Sequence, residues 1–195
     1  MAAKKEKKEE KKLNWKQNLV LYLHDFIMFM AIILVFLIFF RVIVVSQDSM
    51  YSTLWDGDYV LLSSNIVYRE PKQGDVVVIN KEGFDTIIKR VIATEGQTVD
   101  IDFENGIVYV DGQALDEPYI HNLTTRSEGV NFPLTVAPGH IFVLGDNRAV
   151  SMDSRNPVIG QIDKREVLGK ALYLFIPGTD GGRLPRDFGR VGAVK

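Results

Sequence analysis

The sequence of 195 residues contains no cysteine. That absence excludes a disulfide-stapled scaffold, thiolate metal sites and catalysis by a thiol. Histidine is almost as scarce: His24, His121 and His140 are too few and too scattered for a histidine-rich metal site. A surplus of positive charge is missing as well, since the formal net charge is −2, with 46% hydrophobic and 25% charged residues, close to the average of a soluble globular domain. Long amphipathic helices, internal repeats and low-complexity segments are lacking after residue 45. Nothing in the composition calls for a metal or an organic cofactor.

The averages hide an uneven distribution. Residues 1–16 hold seven lysines against three glutamates, +4, which leaves 16 basic and 22 acidic side chains, −6, for the rest. A body of that sign lacks what binding to a phosphate backbone demands, so a nucleic-acid partner is not expected. The basic arm, assigned to 1–18, reads as a solvated tail or as the cytoplasmic flank of a membrane segment. From Phe26 to Phe40 no side chain is polar, and RVIVV carries the run to Val45. As a helix, 26–45 would be about 30 Å long, the thickness of a bilayer's hydrocarbon core. Arg41 lies near one end, where a long side chain can reach the interface. A buried core helix is rarely so uniformly apolar. A cleavable secretory signal has a shorter apolar region and a small-residue cleavage site, for which Val44-Val45-Ser46 is a poor match. A transmembrane anchor is therefore expected over 19–45, with the lysines on the cytoplasmic side and the body outside.

Beyond Val45 the pattern changes to short runs rich in β-branched residues. Strands are expected at 59–62, 75–79, 86–94, 98–103, 106–110, 140–144 and around 171–175. Asn105-Gly106 and Asp111-Gly112 are turn signals that make 98–116 a small meander, within a β insertion spanning roughly 98–138. The expected fold class is mostly β, a barrel or sandwich over 46–177 with one N-terminal transmembrane helix. The Gly-rich basic segment 178–195 reads as a loose tail.

Three segments place chemically useful residues beside strands. Ser49 follows the apolar run in SQDSMYSTLWDGDYVLL. In DTIIKRVIAT, strand alternation puts Ile87, Lys89 and Val91 on one face and Ile88, Arg90 and Ile92 on the other. A lysine among apolar neighbours loses solvation of its charged form and can become a base, which a serine needs to act as a nucleophile. The third segment, VLGDNRAVSMDSRNPVIG, packs polar groups directly after an apolar strand. His140 offers a competing Ser-His-Asp arrangement.

Taken in order, Ser49-Met50, Gly74-Asp75 in KQGDVVVI, Lys89-Arg90 in IIKRVI and GDNRAVSMDSR from Gly145 to Arg155 resemble the sequence boxes of bacterial type I signal peptidases. These are membrane-bound Ser-Lys endopeptidases that remove signal peptides from exported proteins. The resemblance implies Ser49 as nucleophile and Lys89 as general base. Ser151 matches a serine that hydrogen-bonds the lysine, Asp153 and Arg155 match a structural ion pair, and Asp146 and Arg148 shape the same box. Gln47 stands where some members carry a second hydroxyl donor to the oxyanion. Met50 and Ile87 are candidate lining for substrate pockets. The implied partners are secretory preproteins as substrate and membrane lipid, with proximity to the secretion translocon, and the implied location is the bacterial cell membrane.

Self-cleaving repressors of the SOS type share the Ser-Lys dyad but carry a DNA-binding domain, where this chain has an apolar segment and an acidic body. A catalytically silent binding module would have no need of Ser49 and Lys89. Two departures from the family pattern fall near the site: Ser52 replaces a proline in MYSTL, and Ala93-Thr94-Glu95-Gly96 replaces a glycine-and-proline turn. An unperturbed lysine is about 99.9% protonated at pH 7, and lowering its pKa by about three units costs on the order of 4 kcal/mol. A carboxylate in contact would oppose that shift. Lys89 is therefore expected to touch neutral Ser151, with Asp153 turned toward Arg155.

Overall fold

The computed structural model describes residues 15–195, except the side chains of 16 and 17, so most of the expected basic arm lies outside the described residues. Two units divide between Leu37 and Ile38. The first is built on one helix, α1 (Trp15–Phe39). Its segment Asn18–Phe39 has a mean hydropathy of 2.4 and no buried face. At about 1.5 Å per residue this segment is about 33 Å long, enough to cross a bilayer.

The expected helix to Val45 stops six residues short. Phe40–Val44 is a strand, β1, because Val42, Ile43 and Val44 are β-branched and a pairing partner is at hand. That partner is β2 (Tyr59–Ser64), antiparallel from Phe40 opposite Ser63 to Val44 opposite Tyr59. Then come β3 (Val76–Ile79), β4 (Ile87–Thr94), β5 (Thr98–Asp102), β6 (Ile107–Val110), β7 (Gln113–Ala114) and β8 (Leu134–Thr135). They are followed by β9 (His140–Leu144), β10 (Ile162–Asp163), β11 (Val167–Ile176) and β12 (Gly192–Ala193).

The body is mostly β, as expected. One sheet runs β1-β2-β11-β3-β4-β9-β10 with β12 added to β11, and a second runs β7-β6-β5-β8. The large sheet curls into a half-barrel. In the small sheet, Asp111 and Gly112 both take positive φ, +52° and +77°, as a tight two-residue hairpin turn requires. Asn105-Gly106 instead ends a four-residue loop, in which Asp102 accepts the backbone N–H groups of Glu104 and Asn105.

Three apolar clusters fill the body. Val45, Met50, Leu54, Val60, Leu62, Val76, Val78 and Leu174 lie between β2, β3, β11 and the loop after β1. A second group, including Ile92, Val99, Val108 and Phe142, joins the small sheet to β4 and β9. A third gathers Val77, Ile79, Val91, Ile141, Val143 and Ile162. β4 borders all three, which makes it a firm platform for whatever its side chains carry.

The tail is not loose. After a short 3-10 turn at Phe188–Arg190, capped by Asp187, β12 pairs with Tyr173 and Leu174 of β11. Val194 then packs on the first cluster. Glycine content suggested mobility, but two residues of backbone pairing and one apolar anchor outweigh it.

Candidate active site

The loop from Val45 to Asp58 leaves β1 and enters β2 with its ends tied: Val45 N–H donates to Asp58 O at 2.8 Å and Gly57 N–H to Val45 O at 2.9 Å. Ser49 sits near its start, half-buried. From β4, Lys89 Nζ reaches Ser49 Oγ at 2.8 Å and donates to Ile88 O at 3.1 Å. Lys89 is 3% exposed. The two groups open onto a cleft of about 750 Å³ lined by residues 46–49 and 84–89 with Val150, Met152 and Ile159.

Burial is the largest influence on Lys89 and drives its pKa down to about 8, because a dry site disfavours the ammonium. Asp153 and Asp146 oppose the shift and Arg155 assists it. The carboxylates fail to win because each is already matched. Asp153 is held by Arg155, Nε to Oδ1 and Nη2 to Oδ2, both at 2.9 Å. Asp146 is held by Arg90 at 2.8 and 2.7 Å and also accepts Thr53 Oγ1 at 2.5 Å. In Arg148, Nη2 meets Glu117 at 2.6 Å, Nη1 meets Thr124 Oγ1 at 2.5 Å and Nε meets Gly145 O at 2.9 Å. All three guanidiniums are buried. Each pair is bidentate, the geometry that best offsets the loss of hydration.

The turn after β9 fits closely against the serine. Asn147 N–H donates to Ser49 O at 3.1 Å and its side-chain amide to Asp48 O at 3.1 Å. A Cβ on Gly145 would collide with the Ser49 carbonyl oxygen and with Ser151, so this contact needs glycine.

The structure thus brings together Ser49, Lys89, Asp146, Arg148, Ser151, Asp153 and Arg155. The Ser151 contact differs from expectation: its hydroxyl is buried and hydrogen-bonds no described residue, while Lys89 Nζ turns to Ser49 Oγ and Ile88 O. Ile87 and Gln47 line the cleft. Gln47, at φ +75°, donates its backbone N–H to Asp56 at 3.0 Å. Met50 does not line the cleft; it points into the first apolar cluster and is 1% exposed, since the turn after Ser49 directs it inward. His140 begins β9, about 13 Å of strand before Leu144, with its ring bonded to Pro138 O.

Asp58, Glu117 and Tyr119 escaped the sequence reading, and Thr53 and Asn147 stood within its MYSTL and GDNR motifs without a role. Tyr119 lies against the Arg90 guanidinium, 3.9 Å from ring centroid to Cζ. Only the DGD turn hinted at Asp58, and the others are joined to the site by contacts far apart in sequence.

A serine hydroxyl facing a buried lysine whose pKa is drawn down to about 8 is an acyl-transfer arrangement. A family model described as signal peptidase, peptidase S26, matches residues 18–176. The chain belongs to the peptidase S26 family. It is 35% identical to signal peptidase I of Bacillus licheniformis over 181 residues, covering 87% of this chain and 95% of that one. It is 38% identical to a probable signal peptidase I-1 of Synechocystis over 151 residues, 72% and 73% of the two chains. A solved signal peptidase I from Enterococcus faecalis shares 28% identity over 52% of this chain and 96% of its own, with a TM-score of 0.45. Membership of the signal peptidase family makes the chain a serine endopeptidase, and the apolar helix agrees with membrane anchoring.

Proposed function

We propose that Ser49 and Lys89 are the nucleophile and general base of a signal peptidase that cuts signal peptides from exported preproteins. The observation that carries this reading is the 2.8 Å contact between Ser49 Oγ and the Nζ of a lysine whose pKa burial draws down to about 8. Neutral Lys89 takes the hydroxyl proton as Oγ bonds to the scissile carbonyl carbon. It then returns that proton to the leaving amine as the C–N bond breaks, freeing the new N-terminus. Water, deprotonated by the same lysine, bonds to the ester carbon; the C–Oγ bond breaks, Lys89 returns the proton to Ser49 Oγ and the signal peptide leaves as a carboxylic acid. No described backbone oxygen accepts Ser49 N–H, which leaves it available to the oxyanion.

Asp153, Arg155, Asp146 and Arg148 act as scaffold, each in a buried pair. Ile87 and Met152 give the cleft apolar walls suited to small side chains of an extended substrate. The excess of lysine before α1 orients the N-terminus toward the cytoplasm and the body outward. There, in the bacterial cell membrane, the enzyme meets preproteins leaving the translocon, and tethering raises its effective concentration over them.

The test is cleavage of a purified preprotein by the full chain in detergent micelles. Wild type should produce one cut at the end of the signal peptide, and Ser49→Ala should produce none. Cleavage by Ser49→Ala at the wild-type rate would refute the reading.

A further inference from the structure

Ser49 and Lys89 are held in different ways. Lys89 projects from β4, a strand paired on both sides. Ser49 belongs to the loop Val45–Asp58, which contains no strand, so its distance from Lys89 depends on what fixes that loop. Much of the fixing comes from the tail. Arg190 donates from both terminal nitrogens to Asp58, at 3.0 and 2.6 Å, and reaches Thr53 O at 3.4 Å. Its guanidinium lies over the Trp55 ring, 3.8 Å from the centroid. Trp55 stacks on Tyr51 at 5.6 Å, and Tyr51 meets the edge of His121 at 4.8 Å. Asp58 is wholly buried and also accepts Trp55 N–H and Gly178 N–H, so it gathers loop and tail at one point. Further along, Lys195 O accepts from Arg90 Nη2 at 3.0 Å, and that same nitrogen contacts Asp146 and lies 3.4 Å from Thr53 Oγ1.

The geometry points to the segment 187–195 as a positioning arm of the catalytic centre, in which Arg190, acting through Asp58, Trp55 and Thr53, keeps Ser49 Oγ within hydrogen-bond reach of Lys89. Arg190 touches neither reacting group, so it is a positioning residue. An error of about 1 Å in such an alignment costs on the order of 10²-fold in rate. Lysine would be an imperfect replacement, because it lacks both the planar fork that matches Asp58 and the flat face that covers Trp55.

This inference rests on the reading of Ser49 and Lys89 as the dyad, and the experiment separates the two. The full chain in detergent is assayed on a preprotein, with kcat and KM measured separately. Wild-type cleavage that Ser49→Ala abolishes upholds the reading; otherwise both fall together. Arg190→Gln is then expected to lower kcat at least about tenfold, with KM changed less than about twofold, and Arg190→Lys to recover part of the loss. Adding Asp58→Asn to Arg190→Gln should lower kcat by less than the product of the two single effects. Val108→Ala, in the small sheet, serves as a comparison that lowers the thermal midpoint without touching the loop. A folded Arg190→Gln with wild-type kcat overturns the proposal. So does a fall in kcat that Val108→Ala matches for an equal loss of midpoint. If Arg190→Gln fails to fold, Trp55→Leu, which removes the stacking face and leaves the ion pair, carries the same expectations.

Discussion

Lys89 and Arg90 are consecutive residues of β4, and their side chains leave the strand on opposite faces into equally dry surroundings, 3% and 1% exposed. On one face the cation meets a hydroxyl and a backbone carbonyl. On the other it meets a bidentate carboxylate, the Gly74 carbonyl and the Tyr119 ring. Burial therefore drives the lysine toward losing its proton, while the arginine is engaged in structure by its carboxylate. A low dielectric makes a base where compensation is withheld and a brace where it is supplied.

The largest effect should come from removing the uncompensated member. Lys89→Met is expected to lower kcat/KM at least about 10³-fold in the preprotein assay, since among the described residues Lys89 is the base hydrogen-bonded to Ser49 Oγ. It should at the same time stabilise the fold by roughly 1–3 kcal/mol at neutral pH, because a costly buried ammonium is gone. The sign depends on pH. Below about 8 the lysine is charged in both folded and unfolded chains, so the burial penalty is present in full. As pH rises above 8 the folded protein sheds its proton first, the penalty shrinks, and the advantage of Lys89→Met should fade. Chemical denaturation at pH 7 and pH 9 would show whether it does.

Breaking the compensated member should act mainly on stability. Arg90→Met leaves Asp146 buried and unpaired and should cost about 3–5 kcal/mol by urea unfolding. Arg90→Met combined with Asp146→Leu should recover most of that loss, whereas an additive double mutant would mean that the pair is not a unit. Next in size is the pH profile. Because Lys89 titrates at about 8, kcat/KM should fall about tenfold per pH unit on the acid side and level off above about 9. A plateau extending down to pH 6 would point to a different base. The smallest effect is expected from His140→Ala, less than about twofold in kcat/KM, since His140 stands at the far end of β9 with its ring engaged by Pro138.

Much of this was legible in the sequence. Apolar β-branched runs located most of the large sheet, and the meander at 98–116 announced itself through its turns. Alternation along β4 correctly separated the Lys89 face from the Arg90 face. Other features were hidden for physical reasons. β1 was invisible inside an apolar run that begins as a helix, although Val42, Ile43 and Val44 carry the branching that favours a strand. β11 is twice as long as its apolar core, because Gly169 and Lys170 dilute the signal while two neighbouring strands compel pairing. The order of the tail arises from Asp58 and β11, more than a dozen residues away in sequence, so its glycines were all that local reading could register. The inward turn of Met50 and the unpartnered hydroxyl of Ser151 are settled by packing, which adjacency along the chain does not encode.

Gly145 gives this packing a mutational meaning. It donates its backbone N–H to Asp153 and lends its carbonyl to Arg148, yet its chief contribution is volume left unfilled between the Ser49 carbonyl and Ser151. Even a methyl group there would act as a wedge, prising the serine from its neighbours. Tolerance to substitution around this centre is thus set by free space as much as by reactivity, and a position without any reactive atom can be as unforgiving as the nucleophile itself.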